Sequence, residues 1–293
     1  MTLEAISSFE ATDQLGTLYL VPTPIGNLAD ITFRAVETLK TVDLIAAEDT
    51  RNTQKLLNHF EIKTPQISFH EHNTQERIPL LLKKLVAGQK IAQVSDAGMP
   101  SISDPGHELV QACIQQKIPV IALPGANAGL TALIASGLPP QPFLFFGFLS
   151  RQKKQRRQQL AFLAQQQVTM VLYEAPHHLS QTLKDLLAVL GPKEKIVLGR
   201  ELTKKFEEYL RGNLTEALAW SQTENVRGEF CLLLEGNIAV PKAEQLSGEQ
   251  IEAKVKELLA DGHLKPNVAI KQVAKENNLK RQVVYNAFHH LGE

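Results

Sequence analysis

A strand, a loop of small residues and a helix start follow one another directly at residues 90–110, and this unit constrains the fold most. Residues 90–94 are mostly apolar and include two β-branched side chains, which predicts a buried strand. After the loop, Asp104 and Pro105 match the cap and the first position of a helix. Ligands of open α/β sheets bind beyond the carboxyl ends of the strands, so the loop at 95–98 is a candidate binding site. A plain turn, in which Asp and Ser side chains cap backbone amides, explains the same residues equally well.

Two common nucleotide-binding motifs are missing from this loop. The G-x-G-x-x-G spacing of dinucleotide-binding folds does not occur in it, and no Gly-Lys-Ser/Thr follows to form a phosphate loop. The loop is therefore interpreted together with the other loops of the chain.

The same strand-and-loop arrangement recurs through the first half of the chain. Apolar segments at residues 18–21, 44–47, 67–69 and 120–123 predict four more strands, with helical periodicity between most of them. Each segment ends in a loop that carries polar side chains or glycine. The alternation predicts a mostly parallel sheet with helices on both faces, and it places these loops along one rim.

The length of 293 residues exceeds one ordinary domain. Prolines cluster at residues 137–142, where the composition changes, and a domain boundary is predicted there. We predict a flexible tail at 1–16, an N-terminal αβα domain at 17–138, a second αβα domain at 139–240 and a helical domain at 246–293.

The C-terminal domain is predicted to contain two or three short helices, with the candidate segments Glu249–Leu259, Asn267–Glu276 and Lys280–His290. Their spacing fits a helix-turn-helix. Residues 263–290 hold five Lys or Arg residues against one acidic residue. This basic excess favours contact with nucleic acid, and a small packing bundle is the alternative.

Charge and cysteine content narrow the class of protein. The formal net charge is zero, so any basic surface must be local. Cys113 and Cys231 lie in apolar runs and predict buried free thiols of a reducing compartment, without the spacing of metal ligands.

Prolines and glycines interrupt the nearly uncharged run at 120–149, which favours a protein core over a membrane span. The chain start lacks a secretion signal, and a cytoplasmic protein without a metal is predicted.

A series of motifs along the chain resembles the tetrapyrrole methylase superfamily. The motifs are Val21–Leu28, Ala47–Arg51, Phe69–Asn73, Val94–Pro100, Leu123–Asn127, Leu172–His177 and Gly199–Lys204. The pattern is most similar to members that methylate the ribose 2′-hydroxyl of a cytidine in small-subunit ribosomal RNA. The resemblance implies two αβα domains, S-adenosylmethionine in the cleft between them, an RNA substrate within the 30S particle, and a homodimer.

The resemblance also implies which loops hold the cofactor. The cofactor-binding residues predicted in this way are Pro24, Gly26, Ser95, Asp96, Ala97, Gly98, Ala126, Asn127, Ala128, Leu172, Tyr173, Gly228 and Glu229. Many tetrapyrrole-modifying members carry Gly-Gly-Asp in the central loop, whereas this chain has Val94-Ser95-Asp96. The resemblance therefore does not predict, for Val94 and Ser95, the hydrogen bonds that the superfamily pattern assigns to the first two positions.

A ribose hydroxyl is a weak nucleophile, so a base or a cation beside it assists methyl transfer. Asp49 is a candidate base, Arg51 a candidate phosphate ligand, and His70 a candidate base or RNA contact. The alternatives are a surface ion pair between Asp49 and Arg51 and a solvated loop histidine.

Cations are concentrated at the start of one predicted helix, and others lie on a later loop and at the start of the last predicted helix; they are candidates for binding RNA phosphates. These residues are Arg151, Lys153, Lys154, Arg156, Arg157, Arg200, Lys280 and Arg281. A solvated helix face explains the first five equally well, and Arg200 is alternatively part of an interdomain salt bridge.

Two other functions fit parts of the sequence. One is a small-molecule methylase of the same fold that acts on a tetrapyrrole. The basic cluster and the helical tail argue against it, because such an enzyme needs neither. A DNA-binding regulator that senses S-adenosylmethionine needs the tail but transfers no methyl group.

Overall fold

Five short strands in the first half of the chain form a parallel sheet. They are β1 (Leu18–Leu20), β2 (Leu44–Ala47), β3 (Gln66–Ser68), β4 (Ile91–Val94) and β5 (Val120–Ala122). Their order across the sheet is β3-β2-β4-β1-β5, and all neighbours run parallel. All four residues of β4 are buried, as expected for a central strand covered on both faces. The predicted parallel sheet is confirmed.

Four helices cover this sheet. They are α1 (Phe33–Thr41), α2 (Thr50–His59), α3 (Thr74–Val86) and α4 (His107–Gln115). Helices α1 and α2 pack on one face, where Leu39 and Leu57 meet Ile45 of β2. Helices α3 and α4 pack on the other face, where Leu81 and Leu109 are fully buried.

The start of α4 differs from the prediction. The helix begins at His107 with Gly106 as its cap, so Asp104 and Pro105 lie in the preceding loop. Gly106 has a φ of +144°, a conformation that L side chains rarely adopt. The apparent Asp-Pro helix start was wrong because the chain still turns at Gly106 before it becomes helical.

Five strands of the second half form a mixed sheet. They are β6 (Phe143–Phe148), β7 (Thr169–Glu174), β8 (Lys195–Arg200), β9 (Glu208–Asn213) and β10 (Phe230–Leu234). Their order is β6-β7-β10-β8-β9, with β6 and β7 parallel and the other neighbours antiparallel. Strand β9 was not predicted, because its sequence, Glu-Tyr-Leu-Arg-Gly-Asn, is polar and typical of an edge.

Helices cover both faces of the second sheet. One face carries α6 (Lys153–Leu163), α7 (Pro176–Leu190) and α8 (Leu214–Thr223). The other face carries α5 (Ala128–Ser136), whose Ala132 and Leu133 pack against Val171 and Val197. Helix α5 follows β5 of the first sheet, so it joins the two sheets by packing. The predicted boundary after residue 138 remains a prediction.

The structure is a computed structural model that describes residues 15–223, 226–236, 247–260, 264–277 and 279–290. The chain divides into two compact units, residues 1–237 and 238–293. Both sheets belong to the first unit. The predicted tail at 1–16 lies almost entirely outside the described residues, as does most of the segment that joins the two units.

In its described residues, the second unit has three helices that pack on one another. They are α9 (Gly248–Ala260), α10 (Pro266–Glu276) and α11 (Arg281–Phe288), close to the predicted bounds. Their core contains Val255, Ile270 and Val284. None of the helices in the described ranges is long and apolar enough to cross a membrane.

Candidate active site

The strand-end loops of both sheets meet around one cavity of about 350 Å³. The first sheet contributes Ile25, Glu48, Asp96, Ala97, Gly98, Met99, Ile102, Ser103, Asp104, Asn127 and Ala128. The second sheet contributes Phe148, Tyr173, Glu174, Ala175, Gly199, Leu202, Glu229, Phe230 and Cys231. The volume lies within the range of roughly 300–1,000 Å³ that is usual for small-molecule sites.

Asp96 is held at the rim between β4 and β2. Its carboxylate accepts hydrogen bonds from the Asp49 backbone N–H at 3.2 Å and from Asn52 Nδ2 at 3.0 Å. Its own backbone N–H donates to Glu48 Oε2 at 3.1 Å. These bonds fix the Asp96 carboxylate where β2 and β4 end, although the side chain itself remains exposed.

Gly98 brings the central loop against the loop that follows β1. Its N–H and C=O pair with Thr23 at 3.0 and 2.9 Å, which forms an isolated bridge outside the sheet. The Thr23 hydroxyl also donates to the Ser95 carbonyl at 3.1 Å. Gly98 has a φ of +76°, a backbone conformation that favours glycine.

A single hydrogen bond joins Tyr173 of the second sheet to the start of α5. The Tyr173 hydroxyl accepts from the Gly129 N–H at 2.9 Å. Burial raises the pKa of Tyr173 to about 12, so the phenol stays neutral. Asn127 caps the same helix by accepting from the Leu130 N–H at 2.8 Å. Tyr173 and Asn127 therefore form part of the cavity wall at the point where the two sheets are joined.

Carboxyl groups dominate the polar lining of the cavity. Burial raises the pKa of Glu48, and nearby Asp104 and Asp96 add to the shift. Burial also raises the pKa of Asp104, and the Ser95 side chain partly offsets this shift. Glu174 is 3% exposed in its side chain and accepts from the Ala175 N–H at 2.9 Å. A cavity with this lining is suited to a cationic ligand that also has apolar surface.

Several predicted cofactor residues do not line the cavity with their side chains. Leu172 is fully buried in the core on the opposite face of the second sheet, because side chains alternate along β7. Gly26 lies against the Lys204 side chain, and a shallow second hollow borders it. The others are Pro24, Ser95, Ala126 and Gly228, which neighbour lining residues in the chain. Their roles remain predictions.

The three predicted catalytic residues, all within the described ranges, lie outside the cavity lining. Asp49 caps α2 and binds Arg51 through two contacts, at 3.0 Å to Nε and 2.6 Å to Nη2. This pairing lowers the pKa of Asp49 to about 2. His70 lies at the end of edge strand β3, where its Nε2 is 3.2 Å from Asn73 Nδ2. The geometry agrees with the ion pair that the sequence left open for Asp49 and Arg51.

The predicted RNA-binding cations fall into two groups. Arg156 donates to Asp185 at 2.7 Å and to Thr182 at 2.9 Å, and Arg200 donates to Glu208 at 2.6 Å, so both guanidinium groups are used internally. The remaining cations of the set are exposed: Arg151, Lys153, Lys154, Arg157, Lys280 and Arg281. Arg151 lies 3.6 Å from Glu174, at the edge of the cavity.

Sequence reasoning missed several lining residues. The sequence marks Glu48 only as one residue of a polar strand end, and it predicts a helix cap at Asp104. The apolar lining residues Ile102 and Phe148 gave no local signal, because the patterns around them equally predict buried positions. Both cysteines are free and buried, as predicted, and burial raises the pKa of each thiol to about 12. Within the described ranges, no group of three or more His, Cys, Asp or Glu side chains is arranged to hold a metal ion.

Comparison with known proteins gives consistent results. The family model for Tetrapyrrole (Corrin/Porphyrin) Methylases matches residues 17–218. A protein of Halalkalibacterium halodurans named Ribosomal RNA small subunit methyltransferase I is 51% identical over 96% of this chain and 98% of its own length. Proteins of the same name are 49% identical in Bacillus subtilis, over 96% of this chain and 97% of their own, and 52% identical in a Synechocystis species, over 92% and 96%.

Solved structures share the fold at low sequence identity. Uroporphyrin-III C-methyl transferase from Thermus thermophilus, complexed with S-adenyl homocysteine, has a TM-score of 0.53 at 20% identity and covers 76% of this chain and 98% of its own. A cobalt precorrin-4 methyltransferase has a TM-score of 0.58 at 16% identity, and the match covers 74% of this chain and 94% of that protein.

Proposed function

The chain belongs to the tetrapyrrole (corrin/porphyrin) methylase family, and we propose that it transfers a methyl group from S-adenosylmethionine to small-subunit ribosomal RNA. The near-full-length similarity to proteins named for that reaction supports the proposal. The single structural observation that carries it is the acidic cavity between two αβ lobes, which has the exposed side chain of Arg151 at its edge, 3.6 Å from Glu174.

The cavity fits the cofactor chemically. S-adenosylmethionine carries a sulfonium and an ammonium group, which carboxylates stabilise, and an adenosine part, which apolar side chains accept. Asp96 and Glu48 provide negative charge, while Ile25, Leu202 and Phe230 provide apolar surface. When bound, the cofactor supplies a methyl group on a sulfur that leaves as a neutral thioether.

The protein aligns the reacting groups and excludes water from them. Well-oriented reactants gain on the order of 7–11 kcal/mol over free diffusion. In this proposal the ribose 2′-oxygen of a cytidine attacks the methyl carbon while its proton passes to a carboxylate. Glu48 suits that role better than Asp49, because Glu48 lines the cavity with a raised pKa. Asp49 is committed to Arg51, and its pKa of about 2 makes it a weak base.

The exposed cations Arg151, Lys153, Lys154 and Arg157 provide the RNA surface in this proposal, because free guanidinium and ammonium groups bind phosphates. Lys280 and Arg281 of the second unit extend the set. The assembled 30S particle is the proposed substrate, the cytoplasm the proposed location, and a homodimer the proposed assembly. The homodimer is proposed because the family resemblance implies one.

A methylation assay with tritiated S-adenosylmethionine tests this function. The purified chain is incubated with 30S particles, naked ribosomal RNA or uroporphyrinogen. We expect label in the 30S sample, recovered as 2′-O-methylcytidine after nuclease digestion and mass spectrometry. Label confined to uroporphyrinogen would establish the small-molecule alternative, and specific binding of duplex DNA without transfer would establish the regulator.

A further inference from the structure

We propose that Phe148, together with Ile102, forms a stacking platform at the mouth of the cavity for the base of the target nucleotide. The inference rests on the proposed function, and it names the part of the site that receives the RNA. Enzymes that act on one nucleotide of a structured nucleic acid turn it out of its stack and hold the base between aromatic or apolar side chains.

Phe148 ends β6 and lines the cavity, yet it is 51% exposed. Its ring meets Tyr173 edge to face, with 5.6 Å between the centroids. Tyr173 is braced in turn by Phe145 at 5.2 Å and by the hydrogen bond from Gly129. Phe148 therefore rests on a fixed support while half of its surface is open to a ligand.

Ile102 approaches the same mouth from the loop between β4 and α4. It lines the cavity and is 59% exposed. A Cβ placed on Gly147 would lie 3.8 Å from Ser103 Oγ, so the residues next to Phe148 and Ile102 are neighbours across the two lobes. Two exposed apolar side chains, one from each lobe, thus border one opening. This arrangement suits a flat, apolar-faced ring.

Arg151 adds a positive charge, which attracts the phosphate that a nucleotide carries and a neutral ring lacks. It follows Phe148 by three residues and is about half exposed, with Nη2 lying 3.6 Å from the Glu174 carboxylate of the cavity wall. The contact keeps the guanidinium beside the mouth and leaves donors free for a phosphate. Aromatic stacking next to a phosphate-binding cation is the usual arrangement for holding single nucleotides.

The test compares three variants in steady-state methylation of 30S particles. Phe148→Leu removes the planar ring but keeps apolar bulk, Phe148→Tyr keeps the ring, and Phe33→Ala removes a 94% exposed phenylalanine outside the cavity lining. We expect Phe148→Leu to lower kcat/KM about tenfold to hundredfold, the value of one stacked base. The tyrosine and Phe33 variants should resemble the unmodified chain, and calorimetry should give all three the same Kd for S-adenosylmethionine.

The outcomes separate this inference from the function on which it rests. If the unmodified chain does not methylate 30S particles, the proposed function fails. If it does and Phe148→Leu keeps its kcat/KM, the platform is wrong and the function stands. An equal loss of cofactor affinity in Phe148→Leu would place the ring at the cofactor and overturn the platform. Should Phe148→Leu not fold, Ile102→Ser at its exposed loop position takes its place, and an unchanged kcat/KM there overturns the platform.

Discussion

At the scale of single residues, ion pairing and hydrogen bonding decide which carboxylate can offer negative charge to a ligand. Asp49 and Asp96 stand at the ends of strands adjacent in the sheet, and each is fixed by a backbone N–H. Asp49 is neutralised by Arg51, whereas Asp96 forms no ion pair with any residue in the described ranges and lines the cavity. The two residues look alike in the sequence but differ in the charge that they offer to a ligand.

Replacing Asp96 by alanine is expected to weaken S-adenosylmethionine binding about tenfold to hundredfold, the usual effect of losing a charged hydrogen-bond partner. The chain should stay folded, because the groups that Asp96 accepts from are exposed and water replaces it. Calorimetry measures the affinity. Asp43→Ala is the matched control, since Asp43 also accepts a backbone N–H, from Lys90, at the opposite end of the sheet. Equal affinity in Asp96→Ala and the unmodified chain would remove Asp96 from the site.

Glu48→Gln is expected to lower kcat on the order of a hundredfold, because a general base typically contributes that much or more. The unmodified chain should lose kcat/KM as the pH falls through the raised pKa of Glu48, and the glutamine variant should lack this acidic limb. Asp49→Asn is the control and should retain the limb. A Glu48→Gln profile with the limb intact would assign the base elsewhere.

The stability effect of Glu48 has a defined sign. Its pKa is raised by burial in the folded chain, so the folded state holds the proton more tightly than the unfolded state. Stability therefore falls as the pH rises from the unfolded pKa through the folded one. Above this window Glu48→Gln should be at least as stable as the unmodified chain, and urea denaturation at two pH values measures this.

At the scale of elements, the loop between β4 and α4 depends on one buried side chain. Gln93 is 1% exposed, and its Nε2 donates to the Pro105 carbonyl at 2.6 Å. Gly106 lies directly against this amide, since a Cβ there would fall 1.9 Å from Gln93 Nε2. Strand β4 therefore holds the far end of the loop, and through it the cavity residues from Asp96 to Asp104.

Gly106→Ala is expected to destabilise the chain by about 1–3 kcal/mol, because it adds crowding to an unfavourable φ. Gln93 cannot move aside without losing its bond to Pro105. Gly137→Ala is the matched control, since Gly137 also has a positive φ, +84°, but its Cβ would meet nothing within 4 Å. Urea denaturation followed by circular dichroism gives both values. Equal losses in the two variants would mean that crowding at Gly106 contributes nothing.

At the scale of the whole molecule, the cavity and the C-terminal helices belong to different compact units. Every lining residue lies between Ile25 and Cys231, whereas the second unit begins at residue 238. The second unit has its own apolar core, and Lys265, Lys271, Lys275, Lys280 and Arg281 are exposed on it. This separation predicts that cofactor binding and RNA binding can be lost independently.

Deletion of residues 246–293 is expected to leave S-adenosylmethionine affinity unchanged and to impair methylation of 30S particles. Calorimetry and the tritium assay measure the two properties in the same preparation. Lys280→Ala combined with Arg281→Ala in the full chain is the companion variant, and its deficit relative to the unmodified chain should shrink as salt is raised, because it makes fewer phosphate contacts for salt to weaken. Full activity after truncation would show that the helices take no part in the reaction.

Local pattern was sufficient for much of this fold. Short apolar runs, each followed by a loop with polar side chains or glycine, predicted the parallel sheet, and the spacing of apolar residues predicted the three C-terminal helices within a few residues. Motif order predicted the family and the central loop of the site. These features are determined by residues that lie close together in the chain, so the sequence alone is enough to predict them.

Tertiary packing decided the rest. The pairing of Asp49 with Arg51, the burial of Glu48 and the exposure of Phe148 depend on which loops the two sheets bring together. Strand β9 and the position of α5 on the second sheet are likewise set by partners remote in the chain. A carboxylate's proton affinity and an aromatic ring's accessibility are properties of the surrounding atoms, and no local sequence pattern contains those surroundings.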